Sequence, residues 1–235
     1  MFKKLLKVDL HTHTADDPKE AVQHSSFELL DKAHYLGFDA ISITSHNGIT
    51  FGKYLQDYAR ERDIVLIPGV EVNIGPKHVL VVNAHERILE ARTFDDLRRL
   101  RTPENLIIAP HPYFPGFSSL LWQVRKNIDV FDAIEFSWFY HSLINFNMFA
   151  MKTAARYGLP LVCTSDCHHL EKFGLAYSLV DAEKDRESIV EAVRRGRLEI
   201  AANPLKLVEF GKHGLEHVMD TTMETIRGLL FGESQ

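Results

Sequence analysis

The stretch DLHTHTADDP, residues 9–18, sets His11 and His13 two positions apart where the apolar segment LLKVDL ends. Residues two apart on a strand share a face, so both imidazoles can address one metal ion. Alone, the pair would serve equally well in a solvated turn. Further along, His46 ends SITSH, Glu71 ends IPGVE, His78 opens HVLVV, His111 lies in IIAPHP, Glu135 in AIEFS, and Asp166 and His168 close VCTSDCH. Neutral imidazole and carboxylate oxygen suit divalent zinc, manganese or iron. His11, His13, His46, Glu71, His78, His111, Asp166 and His168 exceed the four ligands of a closed structural zinc site, so two or three ions are expected. Clustered ions acidify water and steady the attacking and leaving oxygens of a phosphoester. Such a cluster needs a bridging carboxylate, and Glu71 is the natural candidate. Glu71 and Asp166 are the residues expected to carry the chemistry.

These side chains need a scaffold that gathers strand ends. Short β-rich runs near 5–10, 39–44, 64–67, 78–83, 105–109, 131–136 and 160–164 alternate with helix-patterned segments near 25–36, 51–62, 94–100, 118–127, 142–157 and 186–195. That alternation predicts parallel βα units. In a barrel of such units the strand exits converge on one face, where enzymes of this class place their sites. All the candidates except His78 follow a strand; His78 sits at a strand entrance. Ser142 is the candidate cap of the 142–157 helix, and Gly158 with Pro160 should end it.

At 235 residues and 45% hydrophobic content the chain fits one α/β barrel domain spanning 1–235. Residues ~205–235 form its expected C-terminal helical extension, with Val218, Met219, Met223, Ile226 and Leu230 at helical spacing. That tail is expected to pack on the barrel, with a homodimer contact as the second choice. A net charge of −5 argues against a stable nucleic-acid complex, which needs a basic face. No apolar run approaches the ~20 residues that cross a bilayer, and MFKKLLKVDL is too short in apolar residues for a secretory signal. Cys163 and Cys167 are the only cysteines and read as unbridged thiols in a cytoplasmic protein.

In order, DLHTH, ITSH, GVE, HVLVVNA, APHP and SDCH resemble the motifs of the PHP (polymerase and histidinol phosphatase) domain superfamily, over most of residues 7–180. The resemblance implies a distorted (β/α)7 TIM-like barrel with a trinuclear metal centre, at the C-terminal ends of the strands, that hydrolyses phosphoesters. It assigns His11, His13, Glu71 and Asp166 to one ion, Glu71, His78 and His111 to the second, and His46 with His168 to the third. Asp17 fits the family spacing for the remaining third-ion ligand approximately, His24 fits members that use histidine there, and Asp16 is a weaker option. Family members usually carry Asp where Ser45 precedes His46, so altered hydrogen bonding is expected there. No Arg or Lys marks a phosphate pocket, and Lys77 is the nearest cation.

The expected activity is therefore a metal-dependent phosphoesterase acting on a small phosphorylated metabolite or nucleotide. A C–N hydrolase of the amidohydrolase type is the enzyme alternative, although such enzymes typically bridge their metals with a modified lysine. A non-catalytic metal-binding accessory module is the third reading. Trp138, Phe139 and Tyr140, just beyond the sixth strand, are candidates to stack on a substrate ring or to pack in the core. His85 follows the fourth strand and could reach the site, with a solvated loop residue as the first reading, and His34, His169, His213 and His217 are given no role.

Overall fold

The computed structural model describes residues 4–212; the amphipathic pattern between Val218 and Leu230 lies outside them. Nine strands form one sheet: β1 (Leu6–Thr12), β2 (Ala40–Ile43), β3 (Val65–Ile74), β4 (Lys77–Val82), β5 (Leu106–Ala109), β6 (Ala133–Ser137), β7 (Leu161–Thr164), β8 (Ala176–Val180) and β9 (Leu198–Ala202). Their order is β7-β6-β5-β4-β3-β2-β1-β8-β9. The first seven strands are the expected ones, and the sheet curls into a nearly closed barrel. β1, β2 and β3 pair in parallel, as do β5, β6 and β7.

The distortion lies at β4, which runs antiparallel to both β3 and β5. Gly75, at φ +59°, makes the tight turn between β3 and β4. The reversal explains His78: the entrance of a reversed strand lies at the same end of the barrel as the exits of its neighbours. No helix joins β3 to β4, so this pair departs from the parallel βα units on either side. β3 is ten residues long rather than four, since Pro68 and Gly69 continue the strand instead of ending it. β8 and β9 form a second hairpin that the sequence reading missed. β8 alternates buried and half-buried residues over only five positions, and β9 has no buried position, so neither gives a continuous apolar signal.

Closure occurs where it matters for the site. β1 and β7 share no ladder, but Thr12 bridges to Cys167 just beyond β7, and the His13 amide donates to the Cys167 carbonyl at 3.1 Å. Lower down, the Ser165 amide donates to Asp9 Oδ1 at 3.2 Å.

Helices α1 (Ser26–Tyr35), α2 (Lys53–Glu61), α3 (Phe94–Leu100), α4 (Gln123–Lys126), α5 (Asn147–Tyr157) and α6 (Arg186–Arg194) cover the sheet. Ser25 and Glu28 form a capping box on α1, and Thr93 and Asp96 another on α3. α5 begins five residues later than expected, after Phe146, so Ser142 is not its cap; Gly158, at φ +69°, ends it as expected. Val70, Val72, Val79 and Val81 point outward and pack with Leu97, Leu100, Val124, Ala150 and Ala154 of the helices. On the opposite face, the paired row Glu71, Leu80, Ile108 and Ala133 crosses four strands. One carboxylate thus stands at the edge of an apolar barrel lining.

β2 and β3 approach closely at Gly69. A Cβ there would sit 2.1 Å from Ser42 Oγ and 2.7 Å from Thr44 Cγ2. Gly69→Ala should therefore cost about 1–3 kcal/mol through overpacking. The expected result is a thermal midpoint several degrees below wild type, measured by circular dichroism; an unchanged midpoint would show that the two strands tolerate the extra volume.

Candidate metal centre

Glu71 is the geometric centre of the cluster. Its carboxylate is 1% exposed and has imidazoles on both oxygens. Oε1 lies 2.9 Å from His78 Nδ1 and 3.2 Å from His111 Nε2. Oε2 lies 3.4 Å from His11 Nε2, 3.4 Å from His13 Nε2 and 3.2 Å from His46 Nε2. Local backbone pairing creates this arrangement. The Glu71 amide donates to the Ser45 carbonyl at 3.3 Å and the Asn47 amide to the Glu71 carbonyl at 2.9 Å, which carries His46 alongside β3.

His11 and His13 converge as expected, their Nε2 atoms 3.1 Å apart. Asp166 Oδ1 lies 3.3 Å from His11 Nε2 and 3.4 Å from His13 Nε2. Two positions here adopt left-handed backbone: Asp166 at φ +45° and His111 at φ +27°. Non-glycine residues take that conformation at a cost of about 1–3 kcal/mol, which the surrounding contacts must offset. For His111 the contact is Glu135, whose carboxylate accepts the His111 amide in a short hydrogen bond. Glu135 also accepts His11 Nδ1–H at 2.8 Å and the Thr164 hydroxyl. With Nδ1 held by Glu135, Nε2 of His11 faces Glu71 and Asp166, the position from which it would ligate an ion.

The loop between β1 and α1 supplies two more carboxylates. Asp17 Oδ2 meets His13 Nδ1 at 3.1 Å, His46 Nδ1 at 2.9 Å and the His46 amide at 2.8 Å. It stands behind both rings, on the side away from Glu71. Asp17 thus makes the hydrogen bond to His46 Nδ1, while Ser45 pairs instead with the Thr50 hydroxyl at 2.9 Å. Glu20 reaches forward, making a short ion pair with His168 Nε2 and lying 3.7 Å from His46 Nε2. Sequence reasoning missed Glu20. It lies in an aperiodic loop seven residues beyond His13, and only the spacing of a carboxylate after the His-x-His pair could have pointed to it.

Other expectations resolve differently. His24 is buried, but it belongs to none of the metal-competent groups of described residues, and its Nε2 has no hydrogen-bond partner. Asp16 is taken up by the Thr14 and Ser26 hydroxyls. Lys77 donates to the Phe117 carbonyl at 2.7 Å rather than reaching the cluster. Trp138 and Tyr140 pack against Phe136, Cys163 and Ala176.

Electrostatics follow from crowding charges out of water. Burial opposes ionisation of Glu71, yet His78, His11 and His46 outweigh it and hold the carboxyl well below the usual range. Burial likewise opposes charge on His11, but Asp166, Glu71 and Glu135 raise its pKa well above the usual value. Glu20, despite burial, is lowered to about 2 by His168, His46 and His13. Burial pushes Asp9 up to about 7, and its hydrogen bonds from Ser165 and the His11 amide, with the charge of His11, offset only part of that rise. Among the described residues, four groups could each hold an ion, their ligand atoms within 4.8 Å of one another: His11–His13–Asp166, His13–Glu20–His168, His13–Asp17–His46 and His46–Glu71–His78. Buried charge must be balanced. With neutral imidazoles, the five carboxylates Asp17, Glu20, Glu71, Glu135 and Asp166 carry five negative charges, and two or three divalent ions would supply four to six positive ones. The donor set therefore fits divalent metal.

Residues 145–198 match a family described as PHP-associated. No curated protein matches the chain in sequence. Among solved structures, PsfC from Pseudomonas syringae superposes with a TM-score of 0.63 at 16% identity, covering 94% of this chain and 99% of that one. A protein from Bifidobacterium adolescentis, named as a candidate metal-dependent phosphoesterase, superposes at 0.53 with 15% identity, over 86% and 98% of the two chains. The lesion-specific endonuclease Q of Pyrococcus furiosus superposes at 0.58 with 14% identity, over 83% of this chain and 57% of that one. Identities this low speak for the fold. The family match, confined to residues 145–198, agrees with that fold.

Proposed function

We propose that the protein is a metal-dependent phosphoesterase acting on a small phosphorylated metabolite or nucleotide. The observation that carries this reading is the Glu71 carboxylate, with two imidazoles on one oxygen and three on the other. Glu71 would bridge two ions, one held with His11, His13 and Asp166 and one with His78 and His111. His46, His168 and Glu20 would hold the third. Asp17 and Glu135 would orient the rings by accepting their Nδ1 protons. When bound, divalent ions supply Lewis acidity toward phosphoryl oxygen and bring the pKa of water down to ~7.

The residues then divide the work. Glu71 is enclosed, whereas the Asp166 side chain is 24% exposed. Asp166 is thus the carboxylate that can meet incoming water and take up its proton, and Glu71 the one that fixes spacing. His168, 32% exposed, lies beside it at the opening.

The amidohydrolase alternative is disfavoured because glutamate, not lysine, stands between the imidazoles. A net charge of −5 favours a small substrate over a long polyanion. The two cysteines are buried and unbridged, which fits a reducing compartment such as the cytoplasm. No described helix is long and apolar enough to cross a membrane.

The test is phosphate release from p-nitrophenyl phosphate, nucleoside monophosphates and glycerol phosphate by Mn²⁺-loaded protein. EDTA should abolish release and added Mn²⁺ restore it. Metal-loaded protein that turned over none of these esters, yet cut an oligonucleotide or opened a cyclic amide, would refute the small-phosphoester reading.

A further inference from the structure

The alternation of β1 breaks just before the metal-competent cluster. Leu6, Val8 and Leu10 belong to the apolar lining of the barrel, with Leu80, Ile108 and Ala133. Regular alternation would put His11 on the face of Asp9, away from Glu71. Instead His11 Nε2 lies 3.4 Å from Glu71, so Leu10 and His11 both turn inward. The pairing with β2 shows how. Asp9 pairs with Ile41 and Thr12 with Ile43, three steps on one strand against two on the other. The extra residue is a β-bulge, which interrupts the ladder and re-aims a side chain.

Asp9 holds this bulge. Its Oδ1 accepts the His11 amide at 3.3 Å, the short turn that aspartate and asparagine make with the residue two ahead. The same oxygen accepts the Ser165 amide at 3.2 Å, across the seam and next to Asp166. One buried atom thus ties the backbone of His11 to that beside Asp166, whose carboxylate stands 3.3 Å from His11 Nε2. Asp9 Oδ2 has no hydrogen-bond partner, so the second oxygen adds nothing to the tie.

We propose that Asp9 is a positioning residue: through one acceptor oxygen it holds the bulge and the seam, and so sets His11 and Asp166 at the separation that one shared ion requires. The role calls for a short side chain with an acceptor at Oδ1, and not for charge. The inference rests on the reading of His11, His13 and Asp166 as joint ligands, and is independent of which substrate is turned over.

Asp9→Asn, Asp9→Glu and Asp9→Ala separate acceptor geometry from charge. Asparagine keeps the acceptor and makes the same turn, glutamate keeps the charge on a longer side chain, and alanine keeps neither. Cobalt(II) titration followed by visible absorption measures ion binding apart from turnover, and melts of the metal-free proteins establish that each is folded at the titration temperature. Asp9→Asn should bind within about threefold of wild type, and Asp9→Glu and Asp9→Ala about 10–100-fold more weakly at one site. A merely structural role would lower the melting midpoints and leave cobalt affinity and spectrum unchanged in folded protein. That result, weakened binding in Asp9→Asn, or full binding in Asp9→Glu would overturn the proposal. Should glutamate and alanine not fold, Asp9→Ser takes their place, because its hydroxyl makes the same turn more weakly. Its affinity should fall between those of Asp9→Asn and a tenfold loss, and a wild-type affinity would overturn the proposal. Wild-type protein that bound no cobalt would remove the joint ligands and the proposal with them. Protein that bound cobalt as expected yet cleaved no phosphoester would leave Asp9 its role and remove the activity.

Discussion

Glu71→Gln should strip at least one ion per chain and lower phosphoester turnover by roughly 100- to 1,000-fold, about 3–4 kcal/mol of barrier. The substitution keeps size and shape and changes charge. In wild type, each carboxylate oxygen faces its own set of imidazoles, Oε1 toward His78 and His111 and Oε2 toward His11, His13 and His46. Glutamine replaces one oxygen with an NH₂ donor that cannot ligate and turns hydrogens toward a row of lone pairs. Two cations ~3.5–4 Å apart would also lose the negative charge between them. Because Val70 and Val72 anchor the strand from the opposite face, the fold should survive. Elemental analysis with thermal melts decides: equal metal content and equal rates in the two proteins would remove Glu71 from the centre.

The loop before α1 gives the second large effect, and there the two carboxylates should separate. Glu20→Ala is expected to lower metal content by about one ion, since Glu20 faces His168 and His46 from the open side. Asp17→Asn should disturb a wider area, because one oxygen holds both His13 and His46 by their Nδ1 atoms. Loss of such an orienting partner typically costs 10–100-fold in metal affinity or activity. His24→Ala should keep the full metal complement. If Glu20→Ala retained every ion while His24→Ala lost one, the histidine would be the third-site ligand and the assignment of Glu20 would fail.

What could be read from the sequence follows from how local each signal is. His11, His13, His46, His111, Asp166 and His168 stand where β-rich runs end, and a strand that ends at a barrel mouth delivers its next polar residue there. His78 was legible as a strand entrance, but its purpose depends on the reversal of β4, which is a fact of pairing rather than composition. Glu135 was visible at the end of β6, although its work is to accept protons and amides from His11, Thr164 and His111, three partners remote in sequence. Glu20 was lost because a loop has no period to betray which way a side chain faces. β8 and β9 escaped notice because a short hairpin on the edge of a sheet buries too little to write an apolar pattern. Among the aromatics after β6, the sequence offered Trp138, Phe139 and Tyr140 as equals. Packing separates them: Phe139 stands against Phe114 and Phe210, while the other two join the small apolar cluster of Phe136, Cys163 and Ala176.

The seam between β1 and β7 bears on how this chain is assembled. Residues joined across it, such as Asp9 and Ser165, are 156 positions apart, so the contact closes most of the described chain into a loop. Bringing such distant segments together is entropically costly and kinetically slow. Few backbone bonds cross the seam itself, although the antiparallel ladder of β1 with β8 joins the same ends of the chain beside it. A cation held, as proposed, by His11 and His13 on one side and Asp166 on the other would act as a further, reversible crosslink at that junction. Its binding free energy would then add to the folding free energy of the barrel. The residues proposed for catalysis would then also clasp the fold, so metal supply would govern how long the barrel stays shut as well as whether it can react.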